Sequence, residues 1–174
     1  MKLNDVKISL KLPYIGEIQG TWEFDEKERQ AAWEMYVEII TRISVWELKA
    51  NESLLREALS SLHSLFGTTR SILRQYGPTV AQPKGKDKLS FGYLAVTVLN
   101  SLLRPFLAKW HSALLDYEKH QPAGISQLGH ESQWEKAAEL RDELNKVRLT
   151  MMEYANILSK VAGVPWEFGP REKL

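Results

Sequence analysis

The sequence contains no cysteine, which excludes disulfide stapling, thiolate catalysis and cysteine-ligated zinc. It also lacks a charge excess of either sign: 23 Lys and Arg stand against 22 Asp and Glu, a net charge of +1. A dedicated nucleic-acid binder carries a basic surplus, because phosphate neutralisation supplies most of its sequence-independent affinity. Nucleic acid would therefore have to be met by a local patch. The most apolar run, Leu89 to Leu103, spans 15 residues and includes Ser90, Thr97, Asn100 and Ser101. That is short of the roughly 20 apolar residues of a membrane span and predicts a buried core helix. Met1-Lys2-Leu3-Asn4-Asp5 lacks the apolar core of a signal peptide, so a cytoplasmic location is expected. There is no glycine-rich phosphate loop. No Glu-x-x-His occurs anywhere, so a di-iron bundle is excluded. His63, His111, His120 and His130 form no ligand pattern, and neither a metal nor a cofactor is expected.

What is present reads as one domain of 174 residues, with 44% hydrophobic and 26% charged side chains. Residues 7–12 alternate apolar and polar, and after Pro13-Tyr14-Ile15-Gly16 the alternation resumes with Ile18, Gly20, Trp22 and Phe24 on one face. This predicts a β-hairpin over 7–24. Pairing Leu12 with Ile18 sets Ile8 opposite Trp22 and Lys7 opposite Glu23, satisfying an apolar face and a charge pair together.

Four amphipathic helices are expected next. Asp25-Glu26-Lys27-Glu28 reads as a capping-box-like start, and Ala32, Tyr36, Ile39, Ile43 and Trp46 carry the first helix over 26–48. Leu55, Leu59, Leu62, Phe66, Thr69, Leu73 and Tyr76 form a heptad-like seam over 52–76, closed by Gly77-Pro78. Gly67 inside that seam predicts close approach of another helix. Residues 77–88, rich in Pro, Gly and Lys, read as a linker. The third helix spans 90–119 and must kink or restart at Pro105. After a polar loop from His120 to Glu131, Ser132-Gln133-Trp134-Glu135 reads as a capping box opening the fourth helix, 133–162. Its seam is Ala137, Leu140, Leu144, Val147, Met151, Tyr154, Leu158 and Val161, stopped by Gly163 and Pro165. Residues 164–174 form a tail carrying Trp166 and Phe168. The expected fold is mainly α, a four-helix bundle with a short N-terminal β-hairpin.

These residues allow three function classes. Trp is enriched at interface hot spots, and the chain has six. Trp22, Trp46, Trp134 and Trp166 near segment ends point to protein partners or self-association. The leading expectation is a non-enzymatic interaction or regulatory subunit of a larger, bacterial-type assembly. Secondly, Arg70 and Arg74 on the second helix, with Arg104, Lys109 and Trp110 after the Pro105 kink, make a candidate set for sensing a phosphorylated ligand. Arginine forks bind phosphate bidentately and tryptophan stacks on bases.

The third class rests on the string Leu103-Arg104-Pro105-Phe106-Leu107-Ala108-Lys109-Trp110-His111, in which six residues separate Arg104 from His111. This arrangement on a helix resembles the motif of the HEPN ribonucleases, which are small helical bundles. The resemblance implies metal-independent RNA cleavage at a dimer interface, as in a toxin or antiviral defence component. Arg104 would stabilise the phosphorane and His111 would move the proton. Pro105 stands where that family has a polar residue, and Arg56 and His63 repeat the same spacing.

Overall fold

The structure is a computed structural model and describes residues 4–49, 52 and 54–164. It is mainly helical, with a small three-stranded sheet at its N-terminal end. Strand β1 (Asn4–Leu12) pairs antiparallel with β2 (Gly16–Phe24). Ile8, Leu10, Leu12, Trp22 and Phe24 are buried, on the face the alternation picks out. The register differs from expectation by two residues: Leu12 faces Gly16, Ile8 faces Gly20 and Val6 faces Trp22. The cause is a tight turn, in which the Ile15 N–H donates to the Leu12 carbonyl. Tyr14 and Gly16 adopt positive φ there. A two-residue shift preserves the faces but brings Asp5, not Lys7, opposite Glu23. Glu23 pairs instead with Lys88 at 2.7 Å.

Helix α1 (Glu26–Ile40) starts where expected, its Asp25 carboxylate accepting from the Glu28 N–H at 3.0 Å. It stops eight residues before the expected Leu48. The Thr41 hydroxyl donates to the Val37 carbonyl, and Ile43–Val45 form a single 3₁₀ turn. The β-branched run Ile39-Ile40-Thr41 and then Ile43 disfavours further α-helix. Helix α2 (Leu55–Tyr76) ends at Gly77 as expected, with Gly77 at positive φ. Leu55, Leu59, Leu62 and Thr69 of the expected seam are buried, while Leu65 and Ile72 are buried more deeply than the expected Phe66 and Leu73. A Cβ at Gly67 would meet open space, so among the described residues no helix approaches it closely. The close approach is at Gly92, where a Cβ would lie 2.6 Å from that of Ala81.

The expected linker is structured. Pro78–Ala81 make a 3₁₀ turn with Val80 buried, and β3 (Lys88–Leu89) runs parallel to β2 beside Thr21 and Trp22. Lys84 and Lys88 tie this segment to Asp25 and Glu23 rather than merely solvating it.

From Phe91 to Glu118 the helix is continuous over 28 residues: α3 (Phe91–Thr97), a π-helical turn (Val98–Leu103) and α4 (Arg104–Glu118). Pro105 has no N–H and its ring collides with an α-helical i−4 carbonyl. The wider π turn accommodates it, with the Arg104 N–H reaching back to Leu99. By length and composition this helix could cross a membrane, but 56% of its most apolar window is buried inside the chain.

The polar loop contains a short helix, α5 (Gln127–Ser132), capped by the Ser126 hydroxyl on the Gly129 N–H. Ser132 closes α5 rather than opening the next helix. Its hydroxyl donates back to the Gly129 carbonyl, and α6 (Ala137–Ala162) begins four residues later than expected. The α6 seam holds: Leu140, Leu144, Val147, Met151, Tyr154, Leu158 and Val161 are all buried. Helix α1 packs on α2 and α6, α2 packs on α4, and β1 lies on α6.

Two buried carboxylates fasten these pieces. Glu28, fully buried, accepts from the Trp22 indole N–H at 3.0 Å and from the Phe91 backbone N–H at 3.1 Å, with Lys84 Nζ 3.5 Å away. In a capping box it would reach back to Asp25; here it joins the hairpin, α1, the 77–88 segment and the start of α3. Glu131 accepts from the Leu55 N–H with both oxygens at 3.0 Å, capping α2 from 76 residues away. An N-cap acceptor of this kind contributes about 1 kcal/mol, and a buried donor left unpaired costs roughly 1–3 kcal/mol.

Burial pushes the Glu28 carboxyl above its ordinary 4.5, against the opposing effect of its two N–H donors and Lys84. The native state therefore holds this proton more tightly than the unfolded chain does, so its contribution to stability falls as pH rises from 4.5 through the raised value and is level above it. Thermal unfolding across that range should show this fall in the wild type and its loss in Glu28→Gln. Parallel curves would contradict the assignment.

Candidate functional site

Two polar stripes face each other across α2 and α4. On α2, Arg56, His63 and Arg70 recur every seven residues, and on α4 so do Arg104, His111 and Glu118. Seven residues is close to two helical turns, so each set occupies one face. The helices run antiparallel and the stripes meet as rungs. Arg56 grips Glu118 with two parallel bonds, Nε to Oε1 at 3.0 Å and Nη2 to Oε2 at 2.9 Å. His63 and His111 meet edge to face with ring centres 5.6 Å apart. Arg70 and Arg104 form the open end of the same groove, which encloses about 470 Å³. Phe66 lies between the rungs, with the Arg104 guanidinium 5.1 Å above its ring.

Charge therefore changes along the groove. The Arg56 rung is neutralised by Glu118, whereas neither Arg70 nor Arg104 has a carboxylate within 4.0 Å among the described residues. Arg104 is oriented by the Asn100 side-chain oxygen, at 3.0 and 3.1 Å, and by the Phe66 ring beneath it. Both cations are exposed, a favourable geometry for bidentate anion recognition.

The His111 ring is constrained differently. Arg56 Nη1 lies 2.7 Å from His111 Nδ1, and a guanidinium can only donate. Nδ1 is therefore the acceptor, and the ring of the neutral imidazole carries its proton on Nε2. That Nε2 is buried and has no hydrogen-bond partner among the described residues. Burial first, then the charge of Arg56 and the nearby His63, lower the pKa of His111, with Glu118 opposing. In this arrangement the ring has no free lone pair with which to take a proton from a substrate.

The other expected residues lie elsewhere. Arg74 is exposed on α2, one turn beyond the groove. Lys109 pairs with Glu139 at 3.2 Å and Glu143 at 2.8 Å. The Trp110 ring is 1% exposed and its N–H donates to Glu143 at 2.7 Å, so it cannot stack on a ligand. Trp22 and Trp134 are also core residues: Trp22 holds Glu28, and Trp134 stacks on Tyr117 with ring centres 5.5 Å apart. Of the four tryptophans expected at an interface, Trp46 is the half-exposed one, and Trp166 lies outside the described residues. Trp33, at the margin of the apolar stripe of α1, is also half-exposed. No three His, Asp or Glu side chains converge as metal ligands among the described residues.

Replacing Arg56 with methionine removes a like charge from His111 and frees Glu118 beside it. The His111 pKa should rise, as followed by ¹⁵N imidazole shifts in an NMR titration. An unchanged pKa would mean that the Arg56 contact does not govern this ring. Compared with protein-family models, with curated protein sequences and with solved structures, the chain matches none.

Proposed function

We propose that this chain is a non-enzymatic interaction or regulatory module, a cytoplasmic subunit of a larger assembly, that recognises a phosphate-bearing ligand of nucleotide size in the α2–α4 groove. The observation that carries this reading is the Arg70 and Arg104 rung, two exposed guanidiniums without carboxylate partners among the described residues, at the mouth of a groove of about 470 Å³. A groove of this volume falls within the range of small-ligand sites. The seam-bearing long helices, read as a bundle, supply a rigid frame for it. The absence of an available proton acceptor on His111 favours binding over catalysis.

One observation favours a second reading. The two imidazoles of His63 and His111 touch, flanked by arginines, as a metal-independent ribonuclease of HEPN type would require of paired acid and base groups. His63 is exposed and would then be the proton-transferring ring, with Arg104 stabilising the phosphorane.

Calorimetric titration of the full chain with ATP, and separately with inorganic phosphate, tests the binding reading. Binding of ATP should weaken by about tenfold or more in the Arg70→Ala, Arg104→Ala double variant, the loss of roughly 1.5–3 kcal/mol per charge-assisted contact being an upper guide. Equal binding by wild type and double variant would overturn it. Cleavage of a single-stranded RNA oligonucleotide in EDTA, abolished by His63→Ala, would establish the second reading in its place.

A further inference from the structure

A separate cleft of about 210 Å³ lies between α6 and the segment following α1. Arg141, Asp142, Asn145 and Arg148 line it from α6, at spacings that keep them on one side of the helix. Trp46 and Glu47 line it from the other wall.

Arg148 is the unusual member. It is 9% exposed, its Nε donates to the Asn145 side-chain oxygen at 2.9 Å, and its Nη1 lies 3.2 Å from the Met152 sulfur, a weak acceptor. Among the described residues no carboxylate lies within 4.0 Å of it. Arg141 is nearly as poorly matched. Its Nη2 is 3.8 Å from Glu131, whose oxygens already accept from Leu55, and its buried Nη1 has no partner among the described residues. A buried guanidinium without counter-charge is costly, and two poorly matched ones line this cleft. Among the described residues, two guanidiniums without a well-placed carboxylate thus face one cleft, a geometry that suits a carboxylate ligand.

Its rim narrows the choice of anion. Glu47 and Asp142 are exposed beside the arginines, which disfavours a polyanion and favours a ligand that also carries a positive group. The half-exposed Trp46 ring offers an apolar wall. We infer that this cleft binds a small amphoteric molecule of the α-amino-acid class, its carboxylate on Arg148 and Arg141, its ammonium towards Glu47 and Asp142, and its side chain against Trp46.

The test is an NMR titration of the full chain with leucine, glycine and inorganic phosphate, following the arginine Nε–H signals. Leucine should shift the Arg141 and Arg148 signals saturably at about 1 mM, with glycine binding more weakly because it cannot reach Trp46. Arg148→Met should abolish the Arg141 shift while holding or raising Tm, since an apolar residue of similar length replaces a buried charge that has no carboxylate partner among the described residues. The exposed-rim variant Glu47→Gln, Asp142→Asn keeps the core intact and should weaken leucine but not acetate, titrated in the same way as a carboxylate without an ammonium group. The inference is overturned if neither amino acid shifts these signals at about 10 mM, or if phosphate binds and the amino acids do not. It is also overturned if Arg148→Met lowers Tm, which would make the guanidinium a structural element.

Discussion

The architecture depends on two buried helix N-termini, those of α2 and α3, being satisfied from a distance. An α-helix begins with N–H groups that have no intrahelical acceptor, and buried helix starts cannot leave them to water. Glu28 answers for Phe91 and Glu131 for Leu55. Each carboxylate comes from another element, so each bond fixes the position of one helix against a different part of the chain. Glu28 also holds Trp22, and with Asp25 it holds Lys84. The hairpin, the first helix, the 77–88 segment and the long third helix thus share one polar knot inside an apolar core. The desolvation of a carboxylate is tolerated there because one of its oxygens accepts two N–H bonds and an ammonium group lies near the other.

The groove depends on that placement together with Pro105. The Glu28 bond sets where the 91–118 helix begins, and the π turn at Val98–Leu103 sets the rotation of α4. One residue more per turn displaces the downstream face by about 100°. That displacement decides which side of α4 meets α2. In the observed phase Arg104, His111 and Glu118 confront Arg70, His63 and Arg56. The residue that looked like a helix breaker is thus part of what aligns the charged rungs, and the gradient from neutralised to open arginines gives the groove its direction.

Much of this was legible in the residues and some was not. The hairpin faces, the Asp25 start, the Gly77 and Gly163 stops and the α6 seam are local patterns, and local patterns transfer directly. The hairpin register was misplaced because a three-residue turn with positive φ at Tyr14 has no signature as plain as Asn-Gly. The capping-box reading of Ser132 to Glu135 failed because Ser126 caps a shorter helix just before it. The 77–88 segment read as a linker because Lys84 and Lys88 find their carboxylates only in the folded chain. For the site, the Arg104–His111 spacing and its repetition at Arg56–His63 were visible, and the repetition was the useful signal. That the two pairs would interlock antiparallel required knowing that α2 and α4 are neighbours. Aromatic count misled: Trp22, Trp110 and Trp134 are core residues with satisfied N–H groups or ring partners. Arg148 went unremarked because nothing local distinguishes a buried cation from an exposed one.

Native-state hydrogen exchange at the Leu55 and Phe91 amides tests the central claim most directly. Both stand at helix starts, where amides ordinarily exchange fast. If Glu131 and Glu28 hold them, both should be protected to the level of the slowest core amides and should open only with global unfolding. Exchange of either amide at the rate of an exposed helix N-terminus would contradict the account.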